Sequence, residues 1–301
     1  MHVLRPEGWE RRLEKIRRLT SVRAWWPFLR FAPPGHFYSP IPDLREIDLD
    51  ASRLFGERNL PLVGINLRPE EQIRTFKTIS ERVAIAEFSE EKIPQRRYYW
   101  HNNQYGLSDA YTLVGMLRTL RPRRVIEVGS GFSTAAMLDA LPVDDSPRFT
   151  FVEPFPARLR TLLRPEDDVR FELLEMRIQD VPLSTFTTLE ANDLLFIDSS
   201  HVVKTGSDVV YLMTDVLPRL GSGVVVHIHD IFFPFELPEV WVRNGHGWSE
   251  NYLLKAFLQF NNAFEIIVFL SWLHNHSPDV LGRVDSRLRN GGGSSIYLRK
   301  T

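Results

Sequence analysis

The stretch Arg123–Thr134, RRVIEVGSGFST, reads as a strand that runs into a tight turn and then a helix. Val125, Ile126 and Val128 are apolar and β-branched, and STAAMLDAL continues with helical periodicity. Gly129 and Gly131 permit a sharp turn at which the backbone approaches a ligand closely. A lone G-x-G is weak evidence, and Thr134 stands where dinucleotide-binding turns usually carry Gly or Ala. The rest of the chain therefore decides. RFTFVEP, VRFELLEM, DLLFIDSS and GVVVHIHD repeat the β-rich texture, and PARLRTLL, GSDVVYLMTDVLPRL and SENYLLKAFLQF supply helices between such runs. This alternation predicts an α/β fold, a mostly parallel sheet with helices on both faces. FEIIVFLS and IYLRK close the chain without a clear crossover helix, only the loop RNGGGSS, which predicts an antiparallel last strand in a sheet of seven.

Ligands of such sheets sit beyond the carboxyl ends of the strands. Glu127 precedes the first glycine; a negative charge there would repel a pyrophosphate and suit an ammonium or sulfonium ligand. Glu153 ends the second strand, where an acid accepts from ribose hydroxyls, although alone it reads as an exposed strand-end charge. Gln179 and Asp180 are placed either to bond an adenine edge or to form a polar turn before Pro182. The fourth strand ends in FIDSSHVVK and the fifth in VVVHIHD, so neighbouring tips bring Asp198, His201, His229 and Asp230 together. Carboxylates and imidazoles around one point can hold a divalent cation. Alternation sets His227 and His229 on one face, with Asp230 opposite or in the turn.

The 301 residues contain no cysteine, which removes disulfides, thiolate metal sites and cysteine nucleophiles. Lys+Arg number 37 against 38 Asp+Glu, a net charge of -1 that gives no reason to expect nucleic acid as a partner. No apolar run approaches ~18–20 residues, so no membrane span is expected, and the first twenty residues lack the apolar core of a secretory signal. A cytoplasmic location is the expectation. Leu13, Ile16, Leu19 and Val22 predict one helix face in a basic segment, the proline- and aromatic-rich RFAPPGHFYSPIPD predicts irregular structure, and PEEQIRTFKTISERVAIAEF predicts a second helix. A helix beginning near Ser108 as its N-cap and ending before Pro122 marks the expected boundary. Residues 1–107 then form a mainly helical accessory region, a cap or an interface, and 108–301 the sheet domain.

VIEVGSG, FVEP, FIDSSH and VHIHD, in this order, resemble the class I S-adenosylmethionine-dependent methyltransferases, over about residues 108–300. FIDSSHVVKTGSDV and VHIHDIFFPFELP resemble a bacterial subgroup of metal-dependent O-methyltransferases that includes enzymes acting on macrolide sugar hydroxyls, and GHFYSPIPD resembles part of the accessory region of bacterial relatives. The resemblance implies a Rossmann-like fold and an enzyme that uses S-adenosylmethionine. Glu127, Gly129, Ser130 and Gly131 would hold the methionine end of the cofactor, Glu153 its ribose, and Gln179 and Asp180 its adenine, with Asp198 beside it. Asp198, His229 and Asp230 would hold a metal, with His201 as general base and Lys204 as an alternative base or a solvated helix start. His229 departs from the acidic or amide residue of relatives, and an imidazole suits Mn²⁺, Fe²⁺ or Zn²⁺ better than Mg²⁺.

The implied reaction is O-methylation of a small-molecule acceptor, a saccharide hydroxyl first, with phenols and small polyketides as other acceptors. Trp241, Trp248 and Tyr252, in the long segment after Asp230, are candidates to stack on the acceptor or to pack a lid. The rival readings are a nicotinamide oxidoreductase, a metal-dependent oxygenase on the same scaffold, and a non-catalytic protein that retains the cofactor pocket. Homo-oligomerisation is left open by the sequence.

Overall fold

A computed structural model describes residues 31–56 and 62–301. The helix expected around Leu13–Val22 lies outside the described residues. The chain divides into two compact units, Met1–Glu57 with Glu239–Gly247, and Arg58–Pro238 with Trp248–Thr301. In the described part of the first, α1 (Leu44–Phe55) begins on Asp43, whose carboxylate accepts from the Arg45 N–H at 2.9 Å, and buries none of its residues. Arg243 of the same unit pairs with Glu239 at 2.8 Å and Asp48 at 2.5 Å.

The second unit is built on seven strands: β1 (Arg124–Val128), β2 (Arg148–Val152), β3 (Phe171–Leu174), β4 (Leu194–Ile197), β5 (Val225–Ile228), β6 (Phe264–Phe269) and β7 (Ile296–Lys300). Their order is β3-β2-β1-β4-β5-β7-β6. The pairs from β3 to β5 are parallel, and β7 runs antiparallel to both β5 and β6. The antiparallel end agrees with the sequence reading; the connection before it does not. Short helices at Leu270–His276, Pro278–Gly282 and Ser286–Asn290 fill the segment between β6 and β7. Pro278 and Gly282 break this stretch into pieces too short for a helical period to show. β4 and β5 are buried throughout, which is why LLFI and VVHI carry no polar alternation.

The boundary drawn at residue 107/108 falls inside this unit. Helix α2 (Pro69–Ser80) buries Phe76 and Ile79 and packs on α3 (Leu107–Leu120) and on β6. Gly115 permits the crossing, since a Cβ there would lie 2.8 Å from the Ile79 Cβ. Buried Gln72 accepts at its Oε1 from the Phe269 N–H at 2.8 Å, fixing α2 to the end of β6. Helix α3 starts at Leu107 after Gly106, so Ser108 is not the N-cap; its hydroxyl lies in the first turn and reaches the Leu288 carbonyl at 3.5 Å. No helix among the described residues is long and apolar enough to cross a membrane.

A buried ion network holds the segment before α3 against the sheet. Arg97 reaches Asp139 and Asp167 at 2.6 Å each, and its side chain is 7% exposed, against 7% for Asp139 and 0% for Asp167. The backbone N–H groups of Arg97 and Tyr98 also donate to Asp139, at 2.7 and 2.9 Å. Removing the guanidinium leaves Asp139 only its backbone N–H donors and Asp167 only Arg170 at 3.6 Å as a cationic partner, and Arg97→Ala should cost about 3–5 kcal/mol of stability in urea denaturation, with the slope of the transition unchanged.

Candidate functional site

The order of the strands changes direction at β1, whose neighbours are β2 and β4, so the crevice opens beyond the carboxyl ends of β1 and β4. Past the last ladder positions, the Gly129 N–H donates to Val152 O at 3.1 Å, the Asp198 N–H to Val128 O at 2.9 Å and the His229 N–H to Ile197 O at 2.9 Å. These bonds bring the tips of β1, β4 and β5 into one row. Gly129 has φ +82°, and a Cβ there would lie 1.8 Å from the Asp198 carbonyl oxygen. The close approach that requires glycine here is the one to the neighbouring strand.

Glu127 is fully buried beneath this turn, accepting from the Ser133 hydroxyl at 2.6 Å and from the Thr134 hydroxyl. Burial pushes its carboxyl up to about 8, against the pull of these hydroxyls. It is thus an anchor for the first turn of α4 (Phe132–Ala140) rather than an exposed negative charge. Thr134, the departure from the dinucleotide pattern, is explained here: its oxygen also accepts from the Gly131 N–H at 3.1 Å. Glu153, at the end of β2, accepts from the Ser130 N–H at 3.2 Å and the Phe155 N–H at 2.8 Å, so one carboxylate borders the glycine turn. Gln179 donates to the Gly206 carbonyl at 2.8 Å, whereas Asp180 is exposed and paired with Arg177 at 2.8 Å.

At the next two strand tips, ligand atoms of Asp198, His201 and Asp230 all lie within 4.8 Å of one another. His201 Nε2 is 3.2 Å from Asp198 and 3.8 Å from Asp230. His229 stands beside this group, with Nε2 3.5 Å from Asp230 and its ring 4.9 Å from that of Tyr105. Among the described residues the converging set is thus Asp198, His201 and Asp230, and His229, expected as a ligand with Asp198 and Asp230, lies next to it. The side chain of Asp198 is 31% exposed and that of His201 7%, so the group opens to solvent on the Asp198 side. Lys204 is exposed in the turn before the helix Asp208–Tyr211, and no described contact joins its side chain to the group.

Two of these residues hold backbone conformations that side chains disfavour, His201 with φ 59° and Asp230 with φ 55°. Each costs roughly 1–3 kcal/mol and persists only where the surroundings over-determine it. For His201 the surroundings are Glu250. The His201 carbonyl accepts from the Ser249 and Glu250 N–H groups at 2.9 and 3.1 Å, and the buried Glu250 carboxylate binds His201 Nδ1 at 2.9 Å. The ring of Trp248 lies 4.3 Å from that of His201. Asp230 accepts from the Ser294 hydroxyl at 2.9 Å, and its carbonyl from the Asn251 amide at 2.9 Å. Glu250, Asn251 and Ser294 were not singled out in the sequence. An acid in the first turn of a helix looks like an ordinary dipole partner, and nothing local marks it as buried against a histidine.

Burial opposes charge on His201, but hydrogen bonds to Asp198 and Glu250 outweigh it and push the imidazole up to about 10. Burial also works to raise Asp198; the His201 hydrogen bond and the charges of His229, His201 and Arg158 outweigh it, and the carboxyl is held below its ordinary value. Asp230 is pushed up, mainly by burial. His227, stacked on Phe196 at 4.0 Å, is kept neutral by burial and belongs to the core.

Both groups that such a site implies have a fitting donor set. The glycine turn, the first turn of α4 and the Glu153 carboxylate meet at one place, as a nucleoside with a charged tail requires. One imidazole and two carboxylates suit a divalent cation of hard or borderline character.

Residues 126–231 match the family described as a methyltransferase domain. An uncharacterised protein of Archaeoglobus fulgidus is 33% identical over 169 residues, which are 53% of this chain and 74% of that one. Among solved structures, the S-adenosylhomocysteine-bound methyltransferase PaMTH1 of Podospora anserina is similar at 14% identity, with 88% of this chain and 99% of that one covered and a TM-score of 0.43. The O-methyltransferase TomG of Streptomyces achromogenes is similar at 16% identity, with coverage of 85% and 96% and the same TM-score of 0.43. The family match falls on the segment that carries the glycine turn, Glu153, Asp198, His201 and Asp230, and this part of the chain is a methyltransferase domain.

Proposed function

We propose that this methyltransferase acts on a hydroxyl of a small molecule, a saccharide hydroxyl in the first place, with a divalent cation held by Asp198, His201 and Asp230. The convergence of those three ligand atoms within 4.8 Å, beside the glycine turn, carries the reading. The cofactor supplies an activated methyl group on a sulfonium. The cation, when bound, lowers the pKa of a hydroxyl coordinated to it. The work left to the chain is alignment, which is the larger part of catalysis in such a transfer. Glu153 is placed to hold the ribose diol, with Gln179 at the adenine side and Asp180 further out at the surface. Asp198 stands at the junction of the two sites, next to the turn through its own carbonyl.

His201 serves this scheme as a ligand rather than as the base. With a carboxylate on each ring nitrogen it is an imidazolium at neutral pH, and an imidazolium accepts no proton. A cation at Nε2 displaces that proton, while Glu250 on Nδ1 fixes the tautomer and the ring plane. The oxygenase reading is weaker on the ligand set. A facial iron site uses two imidazoles and one carboxylate, and His229 stands outside the group of three.

Glu250→Gln should weaken Mn²⁺ binding about 10- to 100-fold by calorimetry, and His201→Ala by more, with affinity for S-adenosylhomocysteine within about threefold of wild type in both. Equal loss of cofactor and metal binding would count against the division of the site. The pH dependence has a definite sign. The cation competes with the His201 proton, so below the raised value of about 10 its affinity should climb with pH. Between pH 7 and 9 the rise should be about tenfold per pH unit. Affinity that stays flat across this window would remove His201 from the ligand set.

A further inference from the structure

Among the described residues, one cation near the turn has no carboxylate as a hydrogen-bond or ion-pair partner. Arg158 follows Glu153 in the short helix Ala157–Leu162, and its Cδ lies 3.7 Å from where a Cβ on Gly131 would be. The aliphatic stem thus runs beside the glycine turn. Its guanidinium is exposed, and among the described residues its hydrogen-bond partner is a neutral amide, the Gln104 Oε1 at 2.9 Å. Its neighbours are arranged otherwise: Arg97 binds Asp139 and Asp167, Arg160 binds Glu175, and Arg177 binds Asp180. The charge of Arg158 is nevertheless felt at Asp198 on the far side of the turn.

Gln104 is itself held in place. The Asn102 side chain accepts from the Gln104 and Tyr105 N–H groups at 2.8 and 2.7 Å and donates to the Tyr99 and Tyr105 carbonyls at 2.6 and 2.9 Å. This knot shapes the loop HNNQY ahead of α3, so the loop presents Gln104 to Arg158.

The cofactor's amino-acid end carries a carboxylate, and Glu153 and Asp198, the acids that border the turn, would repel it. We propose that Arg158, steadied by Gln104, binds that carboxylate and thereby selects the intact methionine end of the cofactor. A guanidinium fork matches a carboxylate in two parallel hydrogen bonds, whereas a lysine in its place would offer a point charge. The proposal rests on the methyltransferase reading and adds to it a residue from outside the glycine turn and the metal group.

The test is calorimetric titration of wild type, Arg158→Ala, Arg158→Lys and Gln104→Ala with S-adenosylmethionine and with its decarboxylated analogue. Arg158 is exposed, so its variants should melt with the wild type. Wild type should prefer the intact cofactor by about 10- to 100-fold, a preference that Arg158→Ala reduces to about threefold or less. Arg158→Lys should fall between the two, and Gln104→Ala should lose about threefold to tenfold of affinity for the intact cofactor alone. Unchanged preference in Arg158→Ala, or an equal loss toward both compounds, would overturn the role of Arg158 and leave the methyltransferase reading standing. Failure of wild type to bind either compound would overturn both.

Discussion

The join between β1 and β4 is the constraint from which the site follows. Val128 and Ile197 are the last paired residues, and one step later the Asp198 carbonyl lies where any side chain at position 129 would have to go. Only glycine satisfies both that contact and a φ of +82°. Because the turn is pressed against β4, the glycine turn and the acidic tip of β4 are one structure. Glu127 underneath secures the arrangement from within, through hydroxyls of the first turn of α4.

A second constraint orders the reacting side. His201 and Glu250 clamp each other twice, carbonyl to backbone N–H groups and carboxylate to ring. The first pair caps the helix Glu250–Leu258, and the second turns Nε2 toward Asp198 and Asp230. A disfavoured backbone at His201 is thus held by a helix start 49 residues away in the chain. Just ahead of that helix the Trp248 ring lies against the His201 ring, and Tyr252 bonds Glu236, while Trp241 stacks on His246.

Much of this was legible in the sequence, for identifiable reasons. Buried parallel strands announce themselves as β-branched runs, and chemistry placed at their carboxyl ends can be read off as the first polar residues after each run. That is how Glu153, Asp198, His201 and Asp230 emerge from three short stretches. What stayed hidden depends on contacts between distant segments. Glu250 and Arg158 look like ordinary charges on helices until the fold sets one against a histidine and the other beside a glycine. Thr134 looked like a flaw in a motif, and proves to be the donor that a buried Glu127 requires. The helices between β6 and β7 were missed because prolines and glycines cut them below the length at which periodicity is visible. His229 and His201 could not be ranked as ligands from spacing, since a strand face and a strained turn place their nitrogens differently.

The central claim is that His201, oriented by Glu250, completes a cation site with Asp198 and Asp230. Pulsed electron paramagnetic resonance of Mn²⁺ bound to the protein with S-adenosylhomocysteine tests it most directly. The account predicts coupling from one directly bound imidazole nitrogen, present in wild type and retained in His229→Ala. Manganese bound without nitrogen coupling, or coupling lost in His229→Ala, would contradict it.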